Sequence, residues 1–154
     1  MTLRVEVPGQ EPLELEHLVL DVNGTLTDRG RVIHGVPERL SQLAAQLEVH
    51  VLSADTFGTL SSVAEALGVA ARTIATGSDK ARYVDELGAE RCVAIGNGAN
   101  DAEMLELAAL GIAVVGPEGA AARALGSADV VCASIVAALD LLLDERALRA
   151  TLRS

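Results

Sequence analysis

The chain is 154 residues long, half of them hydrophobic, with a formal net charge of −10. That length suits one domain with one core, and the hydrophobic content argues for a packed globule rather than disorder. The negative charge argues against a nucleic-acid backbone or an anionic membrane surface as partner, while leaving small phosphorylated substrates open, since a local site can be positive in an acidic chain.

With no Trp, one Tyr and one Phe, the core must be aliphatic. No apolar run reaches the ~20 residues of a membrane span. The N-terminus, MTLRVEVPGQEPLELE, is acidic and lacks the apolar stretch of a signal peptide, so a cytoplasmic protein is expected. Cys92 and Cys132 sit in apolar, strand-like runs without metal-ligand spacing and read as buried, reduced structural residues.

In chain order, Leu3, Val5 and Val7 alternate with polar residues, Pro8-Gly9-Gln10 turns, and Leu13 and Leu15 alternate again, which predicts a hairpin over residues 1–15. His17 to Leu20 predicts a strand ending at Asp21, followed by the loop signal Asn23-Gly24. Residues 25–34 form a candidate flap hairpin turning at Asp28-Arg29-Gly30. Pro37 opens a helix with Leu40, Leu43, Ala44 and Leu47 at helical spacing.

Strand and helix then alternate. Strands are predicted at 49–52, 72–75, 91–95, 112–115 and 129–132, and helices at 59–67, 79–87, 101–110, 118–125 and 134–143, several stopped by Gly68, Gly88 and Gly111. A helical tail over 145–153 follows. This order calls for an α/β fold with a mainly parallel sheet and helices on both faces. Such a sheet binds ligands beyond the carboxyl ends of its strands. Asp21, Ser53 and Asn97 stand at those ends.

Four segments carry candidate chemistry, and each also has a purely structural explanation. In LVLDVNGTLT (18–27), Asp21 ends a buried strand before a Gly turn whose N–H groups can meet an anion; it could equally close an Asx turn. In VLSADTFGT (51–59), Ser53 offers a hydroxyl to a phosphate oxygen, yet Ser53, Asp55 and Thr56 all suit a helix N-cap. Phe57 could line a pocket or simply pack. Lys80 is the only Lys beside eleven Arg. It starts a helix, where the dipole does not favour it, and its compact point charge is something Arg does not supply. In AIGNGANDAEML (94–105), the Asn97–Asp101 loop offers oxygen ligands to a hard cation, or a cap to the next helix.

Taken in order, Asp-x-x-Gly-Thr-Leu-Thr, Leu-Ser-x-Asp, a Lys and Gly-x-Gly-x-Asn-Asp resemble the haloacid dehalogenase superfamily over residues 17 to about 132. The flavour is that of the P-type-ATPase phosphorylation domain and of the small, soluble, capless P-type-ATPase-like members. The resemblance implies a three-layer, Rossmann-like fold over residues 1–154 as one domain, with residues 1–15 a hairpin and 17–132 the core. It implies an Mg²⁺-dependent phosphatase or phosphotransfer protein acting on a small phosphorylated substrate through an aspartyl-phosphate on Asp21.

By the same resemblance the catalytic set is Asp21, Asn23 and Lys80. The phosphate cradle is Asp21, Val22, Asn23, Gly24, Thr25, Ser53, Ala54, Lys80 and Asn100. The metal ligands are Asp21, the Asn23 carbonyl, Asn97 and Asp101.

Two positions depart from the family pattern. Asn23 stands where phosphatases of the family carry the acid–base Asp, and Asn97 where they carry a metal-binding Asp. An amide has no useful proton to give, so turnover is expected to be slow, or to need a good leaving group such as an acyl or aryl phosphate. Exchanging two carboxylates for amides weakens the hold on Mg²⁺ and favours a phosphate dianion. The alternative function is a non-catalytic phosphate-binding or regulatory module. Carbon–halogen hydrolysis is disfavoured, since its halide cradle needs aromatic side chains. The intervals Asp21–Ser53 and Ser53–Lys80 are too short for a cap domain, so specificity would come from a partner subunit, from a large substrate, or not at all, with a homo-oligomer through the N-terminal hairpin as one route.

Overall fold

The computed structural model describes residues 1–54, 59–74 and 76–154. The expectations for Asp55, Thr56, Phe57 and Ala75 therefore lie outside the described residues. The N-terminal hairpin pairs β1 (Leu3–Val5) with β2 (Leu13–Leu15) in antiparallel register, Leu3 opposite Leu15. A second small hairpin joins β4 (Thr27–Asp28) to β5 (Arg31–Val32). Its turn residues Arg29 and Gly30 both have positive φ, 50° and 84°, as a tight hairpin turn requires.

The central sheet contains β3 (His17–Asp21), β6 (Glu48–Ser53), β7 (Ala70–Thr73), β8 (Cys92–Gly96), β9 (Leu110–Val114) and β10 (Val130–Cys132). Its order is β10-β9-β8-β3-β6-β7 and every pairing is parallel. The helices are α1 (Val36–Leu43), α2 (Thr59–Leu67), α3 (Gly77–Leu87), α4 (Ala102–Leu107), α5 (Ala122–Ser127), α6 (Ile135–Leu143) and α7 (Glu145–Leu152). Local chemistry starts several of them. The side chains of Thr76, Ser134 and Asp144 accept the N–H of Asp79, Ala137 and Ala147, so each caps its helix. No helix among the described residues is long and apolar enough to cross a membrane.

The strands divide the core by alternation. Leu18 and Leu20 of β3, Val93 and Ile95 of β8, and Leu110, Ile112 and Val114 of β9 join one apolar cluster with residues of α1, α6 and the N-terminal hairpin. Val19, Cys92, Ala94 and Ala113 face the other cluster, with Val84 of α3, Met104 and Leu105 of α4 and Ala124 of α5. Small side chains dominate the second face, which lets α4 lie close to the sheet. Burial pushes the Cys92 thiol up to about 11, in keeping with an inert structural cysteine. Cys132 is only partly buried.

Several boundaries depart from expectation, among them the end of α1, which stops at Leu43 rather than running to Leu47. The helix expected over 101–110 is a 3-10 turn (Ala99–Asp101) followed by α4, which ends at Leu107. Gly111 is therefore inside β9 rather than a helix stop: a Cβ on it would lie 2.1 Å from the Leu105 carbonyl oxygen. We expect Gly111→Ala to force α4 off the sheet and to cost about 1–3 kcal/mol, the usual scale of overpacking, read as a lower urea midpoint at unchanged slope. The helix expected over 118–125 starts only at Ala122, because Gly116 and Gly119 exchange backbone hydrogen bonds in a tight loop. The strand expected at 72–75 is β7, shifted toward the N-terminus.

Candidate active site

Strand β3 has β6 on one side and β8 on the other, and the chain reverses its direction of build between them. This is the topological switch point at which open parallel sheets form a crevice. The register aligns the strand ends there, since Asp21 is level with Leu52 and Leu20 with Ile95. Asp21, Ser53 and Asn97 therefore emerge together.

A cavity of about 340 Å³ opens at this point, lined by Asp21, Asn23, Ala54, Asn97, Asn100 and Glu118 among others. Beneath it lies Lys80, fully buried. Its Nζ donates to Asp21 Oδ1 at 2.8 Å and to Asp101 Oδ1 at 2.7 Å. The helix accounts for the reach. Lys80 is in the first turn of α3, and helical side chains lean toward the N-terminus, which here abuts the strand ends. Gly77 lies so close to the Asn100 carbonyl that a Cβ would come to 2.6 Å.

The remaining bonds fix both carboxylates. The Thr25 hydroxyl lies 3.0 Å from Asp21 Oδ2 and 3.1 Å from Asn97 Oδ1, sharing its proton between them. Asp101 Oδ2 accepts the N–H groups of Asn97 at 3.1 Å and Gly98 at 2.9 Å. Gly96 makes room for it, since a Cβ there would meet Asp101 Cγ at 2.5 Å. The Asn97 amide donates to the Gly119 carbonyl at 3.3 Å, and the Asn23 amide to Ser53 Oγ at 3.4 Å. The Val22 carbonyl accepts the N–H groups of Thr25, Leu26 and Thr27, winding the loop after β3. Gly24 has φ +75° in that loop.

One ammonium between two carboxylates leaves a negative charge in excess. Burial first, and then Asp101, push the Asp21 carboxyl up to about 6 against the pull of Lys80 and Thr25. Burial alone would lower the Lys80 ammonium, but Asp21 and Asp101 outweigh it and hold it above its ordinary value. The donors at the cavity are all oxygens around surplus negative charge, a set that fits a hard divalent cation. Asp21 and Asn97 line the cavity, whereas Asp101 lies behind it with both oxygens already hydrogen-bonded.

The structure thus gathers Asp21, Asn23, Ala54, Asn97 and Asn100 around one cavity, with Thr25, Lys80 and Asp101 bonded beneath and Ser53 held to Asn23. Glu118, which a helical reading of its segment hides, also lines the cavity. Its carboxylate oxygen would lie 2.3 Å from a Cβ on Gly24. A second cluster, His17, Glu48 and His50, was not foreseen. Only the parallel register of β3 with β6 brings these three together.

Residues 74–135 match the family model described as haloacid dehalogenase-like hydrolase. A phosphatase of deoxy-D-mannose-octulosonate 8-phosphate from Haemophilus influenzae, solved in a cobalt-bound form, superposes with a TM-score of 0.72 at 18% identity, over 88% of this chain and 91% of that one. A zinc-transporting PIB-type ATPase matches with a TM-score of 0.65 at 25% identity, over 78% of this chain but 20% of that one. The fold is that of the haloacid dehalogenase-like hydrolases. Within it, the chain belongs to the family of the uncharacterized protein MJ0073 of Methanocaldococcus jannaschii, to which it is 46% identical over 78 residues, 48% of this chain and 84% of that protein.

Proposed function

We propose that the protein is a capless, soluble phosphatase or phosphotransfer enzyme of the P-type-ATPase-like kind, acting through an aspartyl-phosphate on Asp21. The observation that carries this reading is Lys80, a buried ammonium bonded to both Asp21 and Asp101 under the one cavity at the switch point.

In this reading an Asp21 carboxylate oxygen attacks phosphorus and the bond from phosphorus to the leaving oxygen breaks, with its electron pair going to the leaving group. Lys80 and Thr25 hold the carboxylate in place, and Lys80, Ser53 and the N–H groups of Asn23 and Gly24 would face the phosphoryl oxygens. Water then attacks the acyl phosphate, releasing phosphate and restoring Asp21. The Asp21 side chain, the Asn23 carbonyl and the Asn97 side-chain oxygen would hold Mg²⁺, with Asp101 positioning Lys80 and the Asn97 loop behind them. When bound, the metal supplies charge neutralisation at the phosphoryl group.

Asn23 gives no proton to the leaving group, so acyl and aryl phosphates suit the site better than alkyl esters. Asn23→Asp is expected to raise the steady-state hydrolysis of an aryl phosphate by ~10²–10⁴-fold, the usual contribution of a general acid–base group. Incubation with Mg²⁺ and labelled acetyl phosphate tests the reading itself. It predicts an acid-stable, hydroxylamine-labile label on the chain. Absence of label, of turnover and of phosphate binding would overturn it.

A further inference from the structure

We infer a second metal site, for a late first-row divalent ion of the Zn²⁺ type, at the opposite end of the sheet from Asp21. It is built by His17, Glu48 and His50 and does not depend on the proposed reaction.

His17 and Glu48 are paired in register at the starts of β3 and β6, and His50 stands two residues along β6, on the same face as Glu48. His17 Nδ1 is 3.1 Å from His50 Nε2. Glu48 places Oε2 at 3.7 Å from His17 Nδ1 and Oε1 at 3.7 Å from His50 Nε2. An ion bound at ~2.0–2.2 Å to each of three ligands in a tetrahedral site needs those ligands about 3–4 Å apart; here one ligand atom from each residue lies within 4.8 Å of the other two, so a small turn of the exposed Glu48 carboxylate closes the set.

The ligand chemistry selects the ion. Two imidazole nitrogens and one carboxylate suit Zn²⁺, Co²⁺ or Ni²⁺, whereas Mg²⁺ prefers oxygen ligands.

The surroundings resemble those of a built site. His50 is buried, and its other nitrogen, Nδ1, is 2.8 Å from the Tyr83 hydroxyl. An Nδ1–H donated to Tyr83 leaves the Nε2 lone pair aimed at His17 and Glu48, the usual way a partner fixes the tautomer of a metal-binding histidine. Tyr83 is held in turn by Arg72, whose guanidinium carbon lies over its ring, 5.4 Å from the centre. Burial outweighs Glu48 and lowers the His50 imidazolium from its ordinary value. A cavity of about 200 Å³ lined by Met1, Glu16, His17 and Glu48 leaves one side of the cluster open to a water ligand. Glu16 is engaged with Arg91 at 2.8 Å, so Glu48 is the carboxylate available.

An ion here would staple β3 to β6, the two strands whose far ends carry Asp21 and Ser53. Its role would be to stiffen that pair, not to react.

The test uses Co²⁺ and Zn²⁺ with the full chain and its variants. Micromolar protein is expected to take up one equivalent of Co²⁺ with the intense visible absorption of a low-coordinate, nitrogen-bound ion. Zn²⁺ should displace it, excess Mg²⁺ should not, and Zn²⁺ should raise the melting temperature. Glu48→Gln and His17→Gln should abolish the Co²⁺ band, Tyr83→Phe should weaken Zn²⁺ about 10-fold, and Asp21→Asn should leave the band intact. Glu48 is 68% exposed, so its variant folds and keeps the comparison valid. A band that survives both Glu48→Gln and His17→Gln, a band that Mg²⁺ displaces, or uptake of less than one equivalent would overturn the proposal and leave a hydrogen-bonded histidine pair.

Discussion

Asp21→Asn is expected to abolish the phosphoenzyme and to lower turnover of an aryl phosphate by ~10⁴-fold or more, the scale on which removal of a nucleophile acts. Asn has nearly the same shape, and its carbonyl oxygen can still accept from Lys80, so the loss would report chemistry rather than collapse. Stability should move the other way. The Asp21 carboxyl is raised from an ordinary 3.8 to about 6, chiefly by burial. A raised carboxyl means that the folded state binds more protons than the unfolded one between those two values, so stability falls as pH rises through that window. Above about pH 6 the full penalty remains, of order 3 kcal/mol at most for a shift of this size. Urea melts in EDTA at pH 7 should show Asp21→Asn equal to or more stable than the parent, and the gap should close toward pH 4. A variant that loses both activity and stability would show Asp21 to be a structural residue.

Lys80→Met should have the largest effect on the fold. It removes the only ammonium between two buried carboxylates, both within 2.8 Å of it, and breaking such a cluster costs about 3–5 kcal/mol. Without the ammonium the Asp21 carboxyl loses the partner that pulls it down and rises further, so the deficit should be greatest at neutral pH and shrink as pH falls and Asp21 protonates. The double variant Lys80→Met with Asp21→Asn should recover part of the loss, because the remaining carboxylate, Asp101, keeps the N–H groups of Asn97 and Gly98. Equal urea midpoints for Lys80→Met and the parent at pH 7 would contradict the arrangement. Lys80→Arg is no substitute, since a planar fork does not fit a fully buried point between two oxygens.

The two clusters at opposite ends of the sheet were unequally legible in the sequence. The first could be approached because its members stand at strand ends, where a run of Leu and Val gives way to Asp21, Ser53 or Gly96-Asn97. Lys80 stood out as the one Lys among eleven Arg, but the burial that makes it important is a property of α3 docking on the sheet. Glu118 was hidden because a helix was expected over 118–125, whereas the paired backbones of Gly116 and Gly119 hold the start of that segment in a loop. Gly111 looked like a helix stop, and its actual role comes from the distance between α4 and β9. His17 and His50 gave no signal, since they are 33 residues apart and nothing local marks them.

What the residues determined on their own was the alternation of strand and helix, the aliphatic core, the hairpin at the N-terminus and the strand-end position of Asp21. These follow from local periodicity and turn chemistry, which act over a few neighbouring residues. The tertiary structure alone decided that Lys80 is shared between Asp21 and Asp101, that Asp101 turns its oxygens to Lys80 and the loop rather than to the cavity, and that His17, Glu48 and His50 meet. These depend on strand order and register, which are set by how two apolar faces pack over the whole chain.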